Sequence, residues 1–445
     1  MAQVAAQLQL PDHILACVLR RLAPRSLAAS RCVCKTWRAV IDDSRLLRTD
    51  LLPHSLHGIF FMEKLDPSPP KFIANPMTTR RIAAAADFDY VHAEYDGHHL
   101  NIKDHCNGLL LLWDLVVVDP ATRRCACLPP PPPPPLCAGM EVFEFYDHVC
   151  LSFDPTVSRH YQVLLLHNVP LVLENTTMFT KESEWPPSPY PVRVFSSETW
   201  RWEERLFVRR GSEPPGTIAD MQSSRNLRGG YVVYWKGSVY MHCQNDSIMR
   251  LTLSDGAYEV IKPPKTDTRP SLCLGKSMEG VYCALIYNNM EHQLQVWLLT
   301  ELSGTMEWTL KIDASLVPVV AKFSWVSFDD GNKGPWILHK GWCDVGAEDV
   351  GAEEAPTEDN SEWDFGNGII LEKEDIAEDV EGGGIDFLGF HPYKDIVFLW
   401  VSEARVVAYD FSSSKVQDLG QLRVQSIGGS FPYTPCWLEE LFEKN

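Results

Sequence analysis

Residues 10–41 read LPDHILACVLRRLAPRSLAASRCVCKTWRAVI, and they set the terms for the rest of the chain. Leu10-Pro11 opens the stretch. Asp12 suits either the N-cap or the first turn behind Pro11, where a carboxylate meets free N–H groups and the positive end of the helix dipole. Ile14, Leu15, Val18, Leu19 and Leu22 recur at helical spacing. Pro24 stops that helix, and Arg25-Ser26-Leu27 starts another. Val33, Trp37, Val40 and Ile41 carry an apolar face to the end of the stretch. A unit of this size buries too little surface to be very stable alone. Its apolar face is wide for so few residues. On pattern alone it reads as a small helical cap on a larger domain.

The 445 residues leave room for such a module plus a large second domain. Hydrophobic residues make up 45% and aromatic residues 11%, enough for a sizeable core. No apolar run approaches 18 residues, so no transmembrane helix is expected. The start, MAQVAAQLQLPD, lacks the basic flank and apolar centre of a secretory signal. Thirteen scattered cysteines, an odd number, point to a reduced cytoplasmic or nuclear setting in which most act as small buried hydrophobes. The formal charge of −19 is concentrated: residues 344–381 hold fifteen Asp and Glu against one Lys, Lys373. Basic residues form no stripe beyond short clusters such as Arg80-Arg81 and Arg209-Arg210, so no nucleic-acid partner is expected.

From Gly58 onward the pattern changes to short apolar runs parted by Gly, Pro, Asp, Asn and Ser. Leu109–Trp113, Val116–Val118, Tyr161–Leu166, Val239–His242 and Ile396–Val401 are examples, each of strand length and rich in β-branched or aromatic residues. A weak repeat runs through them. Val118-Asp119-Pro120-Ala121-Thr122-Arg123, Phe153-Asp154-Pro155-Thr156-Val157-Ser158-Arg159 and Tyr409-Asp410-Phe411-Ser412-Ser413-Ser414-Lys415 each place Asp at a turn before hydroxyl residues. Val194–Trp200 and Leu253–Tyr258 are looser copies. Asp then Pro suits a type I turn, with Ser or Thr bonding nearby backbone. Hairpins at this spacing suit a β-propeller of four-stranded blades, with a multi-sheet sandwich as the alternative. Units parse at about 102–129, 148–207, 229–262, 272–312, 323–372 and 386–422, with 57–95 supplying closure or a further blade. The expectation is six blades, or else seven.

Two resemblances refine this. Leu10-Pro11, Ile14-Leu15, Val18, Arg21-Leu22, Pro24, Ser26-Leu27 and Val33-Cys34-Lys35-Thr36-Trp37-Arg38 resemble the F-box motif. The resemblance implies three helices that dock on a Skp-type adaptor of a cullin–RING ubiquitin ligase. Further on, His105-Cys106-Asn107-Gly108-Leu109-Leu110-Leu111, Val118–Arg124 with Leu128-Pro129, and Phe153-Asp154-Pro155 with His160–Val163 are similar to the associated domain of plant F-box proteins. Trp235–Tyr240, Gln295-Val296-Trp297, Gly389–Lys394 through Phe398, and Val416–Gly420 fit as well. This likeness covers roughly 100–425, interrupted by the proline run and the acidic insertion.

Other features have ordinary readings beside functional ones. Pro129–Pro135 is extended polyproline II, either a stiff loop or a ligand for an SH3-, WW- or profilin-like surface. The tandem DVGAE of 344–353 opens an acidic insertion, either a solvated disordered loop or a lure for a basic partner. His98-His99, His105-Cys106 and Cys125/Cys127 lack the second pair that structural zinc needs. His391 reads as a turn residue. There is no GxSxG, no phosphate loop and no HExxH. Trp113, Trp185, Trp200, Trp202, Trp235, Trp308, Trp325 and Trp336 belong either to a recognition face or to the core.

The expected organisation is a flexible 1–9, an F-box over 10–50, and a β domain over 57–440 with a disordered acidic insertion at about 344–381. The expected function is that of a substrate receptor with no catalytic residues, cofactor or metal. Its partners would be a Skp-type adaptor, through it cullin and a RING subunit, and an unknown protein substrate, with no membrane. The resemblance nominates Leu10, Pro11, Ile14, Leu15, Val18, Leu22, Pro24, Leu27, Val33, Cys34, Lys35 and Trp37 for adaptor docking. Lys35 would complement an acidic adaptor, and Trp37 above all could instead be core. Two further classes stay open: an F-box scaffold outside the ligase, and a propeller sugar binder or enzyme with polar residues converging in its channel.

Overall fold

Val116-Val117-Val118, three β-branched residues in a row and all buried, shows why the described residues from Leu56 onward are mainly sheet. The computed structural model describes residues 11–22, 27, 30, 33–44, 46, 56–64, 69–75, 88–91, 100–132, 148–167, 180–211, 216–223, 231–243, 246–266, 270–288, 292–302, 304–323, 335–339, 369–370 and 383–436. The chain divides into an N-terminal helical unit, with which Pro155–Arg159 are grouped, and a β unit of Leu56–Asp154 and His160–Asn445.

The helical unit contains α1 (Asp12–Leu19) and α2 (Lys35–Asp43). Pro11 is the N-cap of α1, so Asp12 lies in the first turn. Between the helices residues 20–22, 27, 30, 33 and 34 lie inside the described residues, and of these Leu27 and Ser30 are helical. Leu15, Ala16, Leu19, Leu27, Val40, Ile41 and Leu46 form its core, with Trp37 packed against them.

The β unit starts with β1 (Gly58–Glu63) and β2 (Lys71–Ala74). A first set follows: β3 (Ile102–Cys106), β4 (Leu109–Leu112), β5 (Val116–Asp119) and β6 (Arg124–Cys127). The second set is β7 (His148–Ser152), β8 (Gln162–Leu166), β9 (Tyr190–Ser196) and β10 (Arg201–Arg209), with α3 (Ile218–Ser223) after it. The third is β11 (Val232–Trp235), β12 (Ser238–His242), β13 (Ile248–Thr252) and β14 (Ala257–Ile261). The fourth is β15 (Ser271–Lys276), β16 (Val281–Tyr287), β17 (Gln293–Leu302) and β18 (Thr305–Ser315), followed by α4 (Val317–Phe323). Then come β19 (Ile337–His339) and β20 (Ile369–Ile370). The fifth set is β21 (Ile385–Phe390), β22 (Ile396–Val401), β23 (Arg405–Asp410) and β24 (Lys415–Gln421), and β25 (Ile427–Tyr433) comes last.

Within each set consecutive strands pair antiparallel. The second and third sets join into one eight-stranded sheet through a two-residue parallel pairing of β10 with β14, at Val208↔Ala257 and Arg209↔Tyr258. A sixth set is assembled from distant parts of the chain, in the order β19-β2-β1-β25. The innermost strands β3, β7, β11, β15, β21 and β25 touch in that order, and β25 touches β3. Six buried clusters sit between neighbouring sets. One, for example, joins Phe60, Phe72 and Tyr433 of the sixth set to Leu110, Leu112 and Val118 of the first. Another joins Cys150, Val192 and Phe207 of the second to Val239 and Leu251 of the third.

Most of the unit expected at 323–372 lies outside the described residues. Among the described residues it supplies only β19, which pairs with β2, and β20, which pairs with β24 at Ile369↔Val416 and Ile370↔Lys415. The sixth four-stranded set comes instead from residues 57–95 together with β25 and β19. Residues 1–9 lie outside the described residues, as does the acidic insertion apart from Ile369-Ile370.

The repeated turn acquires a fixed place. Four of its five copies connect the third strand of a set to the fourth. Asp119 accepts from the Ala121 amide at 3.0 Å and the Thr122 hydroxyl at 2.8 Å. Asp410 accepts from the amides of Ser412 and Ser413 and from both hydroxyls. Arg123, Trp200, Gly256 and Ser414 then take positive φ, the left-handed step that closes these turns. The Phe153-Asp154-Pro155 copy belongs to the turn between β7 and β8 instead.

Candidate functional site

The apolar positions of α1 split into two faces. Leu15 and Leu19 are buried, at 4% and 1% exposure, against Val40 and Ile41 of α2. Ile14, Val18 and Leu22, spaced four apart on the other side, are 41%, 52% and 37% exposed, and Val33 is 63% exposed. Pro11 is exposed at the head of this stripe. Its carbonyl accepts the amides of Ile14 and Leu15 at 2.9 and 3.0 Å, which starts the helix without a side-chain cap. Four large apolar side chains are thus held outward on so small a unit, where an ordinary surface scatters them singly.

The remaining nominated residues take different places. Leu27 is 2% exposed, inside the core with Leu15, so both support the stripe from behind. Trp37 is half-buried against the same core. Cys34 and Lys35 are exposed where α2 begins, and the Cys34 thiol sulfur accepts the Trp37 amide at 3.5 Å. Sulfur capping of α2 is a role that sequence reasoning missed; a small side chain three residues before the first well-packed helical residue was its only signal. Leu10 and Pro24 lie outside the described residues.

In the β unit, polar groups converge where the innermost strands end. The Lys276 ammonium donates to Asn107 Oδ1 at 3.1 Å and to the Tyr234 carbonyl at 3.2 Å, and its nitrogen lies 3.8 Å from Cys106 Sγ. Asn107 Nδ2 and Cys106 Sγ donate to the Phe153 carbonyl at 2.7 and 3.2 Å. Asp104, buried, accepts the Leu151 amide at 2.6 Å and the His105 amide at 2.7 Å. Burial pushes its carboxyl up to about 7, against the pull of those amides and of the Lys276 charge. Burial, with a smaller contribution from Lys276, holds His105 neutral at about 3, and its ring lies edge-on to Phe431. These groups tie the first four sets together.

Among the described residues no three His, Cys, Asp or Glu side chains gather as metal ligands. Cys125 Sγ donates to the Tyr90 carbonyl, well apart from Cys106. His98-His99 lies outside the described residues. His391 is buried in its turn and its Nδ1 accepts the Tyr393 amide at 3.0 Å. The proline run begins against the core, where the Trp202 indole donates to the Pro129 carbonyl at 2.7 Å. Trp185 and Trp336 are buried; Trp113 and Trp200 are exposed, and the Lys103 ammonium sits 3.2 Å over the Trp113 ring. Trp202, Trp235 and Trp308 are half-buried at most, and Trp325 lies outside the described residues.

No curated protein matches this chain. The match that exists falls on the helical unit: residues 7–49 fit the family model of the F-box domain. An F-box domain implies binding of a Skp-type adaptor and thereby a role in SCF ubiquitin ligases, and the N-terminal module of this protein is an F-box domain.

Proposed function

We propose that this protein is the substrate receptor of an SCF-type cullin–RING ubiquitin ligase. The observation that carries the reading is the outward stripe Ile14, Val18, Leu22 with Val33, on a module that fits the F-box family. Burying each of these side chains under an adaptor would contribute roughly 1.5–3 kcal/mol. Cullin and the RING subunit would join through the adaptor, in the cytoplasm or nucleus. The β domain would be a six-bladed propeller of the kind associated with plant F-box proteins, a reading supported by six four-stranded sets, the circuit of inner strands and a core between each neighbouring pair. It would hold a protein substrate. The receptor itself would do no bond chemistry: it would raise the effective concentration of substrate lysines near a charged conjugating enzyme.

The test is co-purification of the full chain with endogenous adaptor and cullin, against the double variant Ile14→Asp/Val18→Asp. Both positions are exposed, so the variant keeps the fold. Wild type should bring down both partners and the variant neither. Adaptor without cullin would establish a scaffold outside the ligase. Equal recovery from wild type and variant would overturn the stripe as the docking surface.

A further inference from the structure

The six buried clusters of the β domain differ at their margins. Among the described residues, five of them have at most two half-buried aromatic side chains packed against them. The cluster between the third and fourth sets has five: Tyr231, Trp235, Tyr287, Trp297 and Trp308, with Met306 beside them. Trp, Tyr, Met and Arg are the residues in which protein interfaces are enriched, and Trp, Tyr and Arg carry most of their binding energy.

At this margin the two sets leave a cleft of about 220 Å³. Tyr240, Val281 and Leu299, all buried, line it together with the half-buried Trp235 and Met306. Arg250 of β13 and Lys236, in the turn between β11 and β12, line it too. The Arg250 side chain is only 18% exposed and is held on several sides. Its Nη1 donates to Glu259 at 2.8 Å and lies 3.8 Å from Glu301, its Nε donates to Ser238 Oγ at 3.4 Å, and its guanidinium sits 5.8 Å from the Tyr240 ring centre. Among the described residues its Nη2 meets no acceptor. Lys236 is exposed, lies 5.0 Å from the Trp235 ring centre, and pairs with no acid among the described residues. On the opposite wall the Glu279 carboxylate already accepts from Lys311 at 2.6 Å and from the Tyr282 hydroxyl at 3.2 Å. Donors are therefore left over in this cleft, beside apolar side chains.

We propose that the cleft binds a segment of a partner protein in which an acidic side chain neighbours a large apolar one; the partner is the substrate on the receptor reading above, on which this step rests. The volume suits one anchoring side chain, set against Trp235 and Met306. The carboxylate would take the Nη2 edge of Arg250 and the Lys236 ammonium. A guanidinium already fixed by Glu259 and Ser238 loses little freedom on binding, so its donors are preorganised. Glu301, 57% exposed at the rim, stands on the Nη1 side and leaves the Nη2 edge to the incoming acid. The neighbouring cleft, of about 510 Å³, has the opposite character: Glu279, Asp395 and Asp410 line it against Lys394 alone. An acidic segment would be repelled there.

The test presents a phage-displayed library of random nine-residue peptides to the purified full chain. Peptides selected by wild type should be enriched in Asp or Glu beside Leu, Phe or Trp. Arg250→Met should weaken their binding by roughly 10–100-fold. Lys236→Glu, at an exposed turn position, should weaken it by about tenfold while keeping the wild-type unfolding temperature. Met278→Arg, at a position 63% exposed in the larger cleft, should bind as wild type does. Selected peptides without acidic residues, or binding retained in full by Lys236→Glu, would overturn the assignment. The receptor reading is tested apart from this, by adaptor recovery. Peptides that bind as expected to a chain that recovers no adaptor would leave the cleft standing and remove only its description as a substrate site.

Discussion

The F-box module and the β domain dispose of apolar surface in opposite ways. Among the described residues, seven buried residues make up the module's core, and four large apolar side chains stand outside it. The β domain closes on itself, with a core between each pair of neighbouring sets and β25 paired to β1. The module therefore leaves apolar surface uncovered, while the β domain covers its own with its far strand. Mutations should separate the two.

The largest separation is expected from Phe60→Ala. Phe60 is fully buried, with ring centroids of Phe72, Phe88 and Tyr433 at 4.4, 5.8 and 5.3 Å. Emptying that site should cost the β domain about 3–5 kcal/mol, read as a lowered unfolding transition, with adaptor recovery unchanged. A parallel loss of adaptor binding would break the contrast.

Lys276→Met should cost about 1–3 kcal/mol by leaving Asn107 Oδ1 and the Tyr234 carbonyl without their donor. Denaturant titration of the β domain should show the midpoint fall without adaptor loss.

A smaller effect, confined to the β domain, follows from pH. The folded Asp104 carboxyl holds its proton up to about 7, above the ordinary carboxylate value. The native state thus binds more protons than the unfolded chain between about pH 4 and 7, and stability from this group falls as pH rises through that window. Asp119, also raised to about 7 by burial, acts in the same direction. Asp104→Asn should flatten part of the slope: its unfolding temperature, compared with wild type, should be higher at pH 8 than at pH 5. An unchanged slope would remove Asp104 from the account.

The smallest effect is expected in the module. Cys34→Ala should lose the cap on the Trp37 amide, about 0.5 kcal/mol, while Cys34→Ser restores it. Helix content of the isolated change, followed by circular dichroism, should move only slightly.

What could be read from sequence follows the range of the physics involved. The repeated turns were legible because Asp119 and Asp410 satisfy backbone within three residues of themselves. The helix over Ile14–Leu19 was legible from its period, and so was the excess width of its apolar arc. Period alone does not say which half of a wide arc faces inward; Leu15 and Leu19 are decided by α2, and Ile14 and Val18 are left over. The donation of β19 to β2 was not legible, since a strand of three residues carries almost no pattern. Nor was Lys276, whose partner Asn107 lies 169 residues away. Nothing local marks that lysine as anything but a surface cation at a strand end.

The pairing of β25 with β1 has a consequence in time. Residues 7–49 leave the ribosome long before Tyr433, by roughly 20–80 s at 5–20 residues per second. Throughout that interval the nascent chain carries the F-box residues without the strand that pairs with β1. A premature stop anywhere in it would code for a protein able to occupy the adaptor with no completed domain behind it. Such a product would compete with the full-length chain for adaptor, so early nonsense alleles should behave as dominant inhibitors where their protein survives.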